Sequence, residues 1–305
     1  ASAANTDRDS YYGPGNDPLK AYGKTTDLTA MGGAQYVHTF DKCFFMPSDL
    51  TAGLEYNRDR LKDNMWGYNR HTDQTVNIYS AFLQNEWKND RWGILIGGRL
   101  DNVIFSPRAN LRFNPTQNIN LRLSYSSGFR SPQAFDEDMH IENVGGTVAM
   151  IERAKDLKEE KSQSFSASAD MYHRFGAFQT NLLIEGFYTR LTDVFVLGEP
   201  YDRGDGILVK TRSNGPGAKV MGLTLEGKVA YLSILQIQAG LTLQRSRYDE
   251  PHKWHDDAPA EKKIFRTPDT YGYFTATCTP IKPLSIALSG TYTGRMLVQR
   301  MDITA

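Results

Sequence analysis

Strict alternation of apolar and polar side chains, sustained over segment after segment, is the feature that most restricts what this chain can become. Leu235, Ile237, Ala239, Leu241 and Leu243 alternate with Gln236, Gln238, Gly240, Thr242 and Gln244. A period of two puts the two sets on opposite faces of an extended strand. Ala109, Leu111 and Phe113 alternate in the same way with Arg108, Asn110 and Arg112. After the turn composition Asn114-Pro115-Thr116-Gln117-Asn118 the pattern restarts with Ile119, Leu121, Leu123 and Tyr125, so the two segments read as a hairpin. Phe165 to Met171, Leu182 to Tyr188 and Leu284 to Tyr292 repeat the pattern. Weaker members lie near 30–41, 50–58, 74–88, 92–101, 207–230 and 265–279. The prediction is an all-β fold of about twelve strands with no long helix.

Strand length and loop asymmetry narrow the environment. Many of these segments run to about ten residues, beyond the usual five or six of globular sheets and matching the roughly 9–11 that cross a bilayer at a tilt. Short turns at 114–118, 173–176, 231–234 and 280–283 are separated by long polar segments at 130–160, 190–206 and 246–263. An antiparallel transmembrane β-barrel has this asymmetry, with short turns on one side and long loops on the other. Arg108, Arg112 and Arg122, with Asn, Gln and Ser between them, cannot face a dry core unpaired but suit a wet lumen. The leucines and tyrosines of the other face then meet lipid. Phe113, Tyr125, Tyr172, Tyr188, Tyr231, Tyr248, Tyr271 and Tyr292, near predicted strand ends, are expected in interfacial girdles.

Composition removes other classes. The 305 residues include only two cysteines, which excludes a disulfide-stapled or Cys-rich zinc scaffold. Cys43 and Cys278 are read as unpaired thiols. The mean hydropathy is −0.50 and no apolar run approaches the roughly 20 residues of a spanning helix. Equal charge, 35 Lys and Arg against 35 Asp and Glu, gives no whole-chain attraction for nucleic acid. No catalytic motif and no resident cofactor are expected, so the chain does not read as an enzyme. His252, His255 and Asp256, and Asp136 to Asp138 with His140, read as parts of solvated loops rather than metal sites. The first residues carry no targeting signal, so the chain reads as a mature chain or a fragment.

Three stretches resemble one family: Phe105-Ser-Pro-Arg-Ala-Asn-Leu-Arg-Phe-Asn-Pro, Asn120-Leu-Arg-Leu-Ser-Tyr-Ser-Ser-Gly-Phe-Arg-Ser-Pro-Gln-Ala-Phe-Asp-Glu-Asp and Asp156-Leu-Lys-Glu-Glu-Lys-Ser. They are similar to the TonB-dependent outer-membrane receptors, particularly Bacteroidetes receptors for siderophores or cobalamin. Ser131 stands where that family usually has Ala, and Glu159 where Pro is common. Leu83-Gln-Asn-Glu-Trp87, and Asn214, Ala218, Gly222 and Glu226 at four-residue steps, add to the likeness. Gly97 to Phe105 is shorter than the family's extracellular loop there.

The resemblance implies a location in the bacterial outer membrane and a barrel of about 22 strands closed by a plug. This chain corresponds to the later part of the barrel, with plug and TonB box absent from it. Implied partners are a metal chelate or corrinoid (ferric siderophore, heme or cobalamin), the TonB complex, the lipid bilayer and a surface lipoprotein. The implied function is TonB-energised import. A passive porin-like channel and a soluble β-sheet binding protein are the alternatives. An anionic chelate would be drawn to guanidiniums, and Arg108, Arg112, Arg122 and Arg130 are the candidates, with Phe129 and Phe135 as an aromatic platform. The same arginines could instead pair with carboxylates of a plug or of the wall.

Overall fold

A strand with one apolar and one polar face needs neighbours of the same kind, and this chain pairs each such strand with the next. The computed structural model describes residues 1–11, 22–66, 70–132, 142–144, 147–204, 208–253 and 259–298. Strands β1 (Ser2–Tyr11), β2 (Tyr22–Cys43), β3 (Met46–Met65), β4 (Arg70–Lys88), β5 (Trp92–Asp101), β6 (Ile104–Thr116) and β7 (Ile119–Arg130) are successive antiparallel neighbours. The chain then leaves this wall to form β8 (Glu142–Val144) and β9 (Thr147–Arg153) and returns with β10 (Glu160–Phe175) and β11 (Phe178–Thr192). It leaves again for β12 (Phe195–Leu197), β13 (Tyr201–Asp202) and β14 (Leu208–Asn214). The wall resumes with β15 (Ala218–Tyr231), β16 (Leu235–His252), β17 (Glu261–Lys263), β18 (Thr270–Ile281) and β19 (Leu284–Thr293).

The wall is one fourteen-stranded sheet: thirteen strands follow in unbroken meander order, and β17 pairs with β16. Among the described residues β1 and β19 each have a partner on one side only. The twelve predicted strands correspond to β2 to β7, β10, β11, β15, β16, β18 and β19. The thirteenth, β1, was not anticipated, and the segment 207–230 divides into β14 and β15.

The tight turns at 44–45, 89–91, 117–118, 176–177, 232–234 and 282–283 all lie at one end of the wall. Gly176 supplies the left-handed backbone, φ 58°, that the β10–β11 turn requires. The opposite, loop end carries the connections 131–159, 193–217 and 253–269. The same end also holds the turn at 102–103 between β5 and β6, where Asn102 has φ 53° and accepts a hydrogen bond from the Tyr79 amide at 3.0 Å. The loop that looked short in the sequence is thus a tight turn.

Register sorts side chains onto the two faces. On the outer face Phe165 is opposite Tyr188 and packs on Tyr125 with centroids 4.8 Å apart. Ten residues further along the same strands, Phe175 is opposite Phe178 at 5.3 Å, and Phe178 meets Tyr231 at 4.8 Å. Trp92 stacks on Phe113 at 4.2 Å near the same turn end. Ten residues at about 3.3 Å each, tilted by about 40°, span a height of about 25 Å, the apolar band of an outer-membrane barrel. Of the expected girdle residues, Phe113, Tyr125, Tyr188, Tyr231 and Tyr292 are on this face. Tyr172 and Tyr271 are on the polar face instead, because each is in phase with polar partners, Asn181 and Thr242. Tyr248 is only 6% exposed and packs at the loop end with Val194, Val196 and Ala218.

That cluster belongs to the part of the molecule that the sequence did not suggest. Strands β12, β14, β9 and β8 form a second sheet, with β13 against β14 and a parallel pair between β14 and β9. Met150 and Val209 are buried within it. Arg153 on β9 donates to Gln74 Oε1 on β4 at 2.6 Å, so the small sheet reaches the wall far from its own connections. Buried hydrophobic side chains among the described residues concentrate at this loop end, while the transmembrane wall keeps its apolar face outward.

Candidate functional site

The polar face of the wall is the candidate site, and the register fixes the position of each arginine on it. Arg112 is directly opposite Arg122, Arg108 is opposite Ser126, and Arg130 is opposite Glu160. All four share one face, since every step between them is even. They do not form a cluster: Arg122 and Arg130 are eight residues apart on β7, which at about 3.3 Å per residue is about 26 Å. The arginines form a ladder from the turn end to the loop end.

Their contacts differ. Arg112 donates to the carbonyls of Asn89 at 3.1 Å and Trp92 at 3.4 Å, so it braces the β4–β5 turn. Gly93 leaves room for it, since a Cβ there would meet Arg112 Nε at 3.0 Å. Arg122 Nε donates to Asn120 Oδ1 at 2.6 Å. Arg130 places its guanidinium 5.6 Å from the centre of the Phe195 ring, a cation–π contact. Arg108 is exposed and, among the described residues, has no hydrogen-bond or ion-pair partner. It borders a hollow of about 490 Å³ with Gln35, Glu55, Gln84, Arg99 and Ser126.

The aromatic platform is not where the sequence suggested. Phe129 is one residue from Arg130 on a regular strand and therefore faces the outer side, and Phe135 lies outside the described residues. Phe195, from the second loop excursion at 193–217, takes the position beside Arg130. Of the metal-site residues weighed in the sequence, Asp136 to Asp138, His140, His255 and Asp256 also lie outside the described residues. Among the described residues no three His, Cys, Asp or Glu side chains could hold a metal ion.

Two groups that sequence reasoning missed organise the lumenal wall. Arg99 pairs with Glu55 at 2.6 Å and Asp101 at 2.8 Å and donates to Ser80, which donates to Asp101 at 2.5 Å. This arginine is held by wall carboxylates, the alternative use foreseen for lumenal guanidiniums. Lower down, Glu226 accepts from Tyr273 at 2.5 Å and Gln238 at 3.1 Å and pairs with Lys228 at 2.9 Å.

Glu226 ends the four-residue series, and each member has a structural role. Asn214 binds the Lys158 and Asp193 carbonyls at 3.0 and 2.8 Å, which ties two loop segments together. Ala218 is fully buried beneath Val194 and Val196. Gly222 lies under the Phe187 ring, and a Cβ there would sit 2.6 Å from that ring and 2.6 Å from the Leu243 carbonyl oxygen. Gly222→Val is therefore expected to destabilise the wall by about 1–3 kcal/mol, read as a lower denaturation midpoint with the outer-face Gly227→Val as comparison.

A family model described as TonB dependent receptor-like, beta-barrel, matches residues 1–296. Among solved structures, the chain is similar to the siderophore receptor PirA from Pseudomonas aeruginosa, with TM-score 0.66 and 16% identity over 89% of this chain and 49% of that one. It is also similar to a mutant of the ferric enterobactin receptor PfeA from Pseudomonas aeruginosa in complex with enterobactin, with TM-score 0.68 and 18% identity over 96% and 46%. The alcaligin outer-membrane receptor FauA from Bordetella pertussis gives TM-score 0.59 and 14% identity over 90% and 47%. The chain thus spans about half the length of these structures. No curated protein matches it. With a two-faced meander, belts at membrane spacing and a family match over nearly its whole length, the chain belongs to the TonB-dependent receptor β-barrel family, as a wall of the bacterial outer membrane and not an enzyme.

Proposed function

We propose that this chain is the later part of the barrel of a receptor that binds a ferric siderophore and imports it with TonB-coupled energy. The observation that carries the reading is Arg108: an exposed guanidinium without a partner among the described residues, on the lumenal face of a family member. Such a group suits an anionic chelate, because guanidinium stays charged and offers several donors. The names of the similar structures, siderophore and ferric enterobactin receptors, favour this ligand class over heme or a corrinoid. The open edges at β1 and β19 and the half-length coverage support barrel strands and a plug contributed from outside this chain. Unpaired strand edges are not tolerated in a bilayer, so closure needs those strands.

The test is tryptophan fluorescence of the complete receptor titrated with ferric siderophores, heme and cobalamin. Arg108→Ala is expected to weaken a ferric siderophore by about tenfold, the loss of one charge-assisted hydrogen bond. Arg112→Ala, at the turn end, is expected to leave affinity within about twofold. Unchanged binding in Arg108→Ala would remove Arg108 from the site, and uptake that persists after the proton-motive force is dissipated would favour a passive channel.

A further inference from the structure

The loop-end rim of the wall is uneven, and the step in it exposes backbone. β4 begins at Arg70, but its neighbour β5 ends at Asp101, opposite Ser80. Residues 70–79 of β4 therefore have a strand partner only in β3 among the described residues. At about 3.3 Å per residue this edge is about 33 Å long. Tyr56 and Tyr79, opposite each other on the outer face with ring centroids 4.9 Å apart, mark its foot at the loop-end aromatic belt. The edge thus rises past the membrane.

Its hydrogen-bonding groups are open. The Tyr79 amide donates to Asn102 Oδ1 at 3.0 Å and its carbonyl accepts from the Asn102 amide at 2.8 Å, so both groups point to the β5 side. In a regular antiparallel strand every second residue does the same. The β3–β4 register has no shift, so the amides and carbonyls of Thr75, Asp73 and His71 also point to that side, where no described strand meets them. Sheet edges are commonly blunted by proline, lysine or a bulge. Residues 70–79 contain no proline, glycine or lysine, and Thr72, Thr75, Val76 and Ile78 favour strands. Gln74, which receives the hydrogen bond from Arg153, is on the lumenal face, so that contact leaves the edge itself uncovered.

The outer face beside the edge is basic. Arg58, Arg60 and Lys62 on β3 are opposite Asn77, Thr75 and Asp73, and all three cations are exposed. Asp73 answers Lys62 at 3.7 Å. Arg58 and Arg60 have no hydrogen-bond or ion-pair partner among the described residues. A strand added at the edge is two spacings from β3, about 10 Å, which an arginine and a glutamate side chain bridge together across Thr75 or Asn77.

We propose that β4 accepts, as an added strand along residues 71–77, an extended acidic segment of another protein at the cell surface. The backbone of that segment bonds to His71, Asp73 and Thr75, and its carboxylates, at alternate positions, meet Arg58 and Arg60. The residue between two carboxylates faces the lumenal side beside Val76, which favours a small or apolar side chain there. Strand addition takes its affinity from backbone bonds and its specificity from alternate side chains, and this edge offers both. Within the bilayer an open edge is not tolerated, whereas above it water satisfies the same groups until a strand arrives. The inference needs only the outer-membrane wall and is independent of which ligand the lumen takes.

The experiment uses the complete receptor in phosphatidylcholine nanodiscs, titrated with a fluorescein-labelled eight-residue peptide alternating Glu with Thr, and with its counterpart alternating Lys with Thr. By anisotropy the Glu peptide is expected to bind at least about tenfold more tightly, since each ion pair gained on one is a repulsion on the other. Bound peptide should slow amide exchange at His71, Asp73 and Thr75 and leave Thr72, Gln74 and Val76, already turned to β3, unchanged. Arg58→Ala with Arg60→Ala should abolish the preference for Glu over Lys. Thr75→Pro removes an edge amide that the fold does not use, and should weaken the Glu peptide at least about tenfold while siderophore affinity and the heat-dependent gel shift stay unchanged. A Glu peptide N-methylated at alternate residues, which cannot pair, makes the same test on the unsubstituted protein. Equal binding of the Glu and Lys peptides overturns the proposal. So does binding without protection of the three edge amides, undiminished binding of the N-methylated peptide, or full displacement by millimolar inorganic phosphate, each of which would reduce the site to a patch of surface charge.

Discussion

Leu225→Arg is expected to lower the stability of the folded barrel by about 2–4 kcal/mol, the penalty for a charged side chain on the lipid face near the bilayer midplane. Leu225 is opposite Ile184 and Leu241 on the outer face, four residues from Met221 at the upper belt and six from Tyr231 at the lower one. An arginine there has a long way to reach either headgroup region. Thr275→Arg is the matched comparison: Thr275 is opposite Gln238 and Ser289 on the lumenal face and is exposed, so the same charge enters water. Its effect is expected within about 0.5 kcal/mol, as for an ordinary surface substitution. Denaturant titration of the receptor refolded into vesicles measures both. A larger loss from Thr275→Arg than from Leu225→Arg would reverse the two faces, and with them the lumenal position of Arg108.

That test bears on what the sequence made legible. Parity is a local property, so β16 and the β6–β7 hairpin could be read, with correct faces, from their own residues. β1 could not, because Ser2 to Tyr11 has polar residues on both faces and is a strand by virtue of its pairing with β2. Strands β8, β12 and β13 are two or three residues long, too short to display any period. β14 and β9 are a parallel pair between two separate loop excursions. In the candidate site, the facing of Arg108, Arg112, Arg122 and Arg130 was readable, but partnership was not. Arg99 and Arg108 are both on polar faces, yet one is held by Glu55 and Asp101 and the other has no partner among the described residues. Phe129 was judged by closeness in sequence to Arg130, which on a strand means the opposite face. Phe195 came from another loop, beyond the reach of any local pattern.

The same distinction makes Arg70 the second large expectation. Arg70 is the first residue of β4 and Asp63 lies two residues before the end of β3, in a stretch that reads as merely polar, and the structure buries both, with side-chain exposures of 8% and 3%. Arg70 donates to Asp63 Oδ2 through Nε at 3.0 Å and Nη2 at 2.8 Å, while Thr25 on β2 donates to Asp63 Oδ1 at 2.7 Å. Removing the guanidinium alone leaves a buried carboxylate with one hydroxyl donor, and breaking such a pair typically costs about 3–5 kcal/mol. Asp63 is seven residues beyond Tyr56, about 23 Å along the strand, so the loss should fall on the part of β2 to β4 that projects past the membrane. Hydrogen exchange is the suitable measurement: Arg70→Ala should raise amide exchange in the loop-end halves of β2, β3 and β4 and leave the turn-end halves unchanged. Asp63→Ala with Arg70→Ala should recover part of that protection, because the unpaired charge is gone. Gln74, four residues along β4, receives the hydrogen bond from Arg153 of the small sheet, so loosening the pair should also reduce protection in β9. Unchanged exchange in Arg70→Ala would mean that the pair does not hold the projecting hairpin. Exchange confined to β3 and β4 would mean that the small sheet is held by its own contacts rather than by this frame.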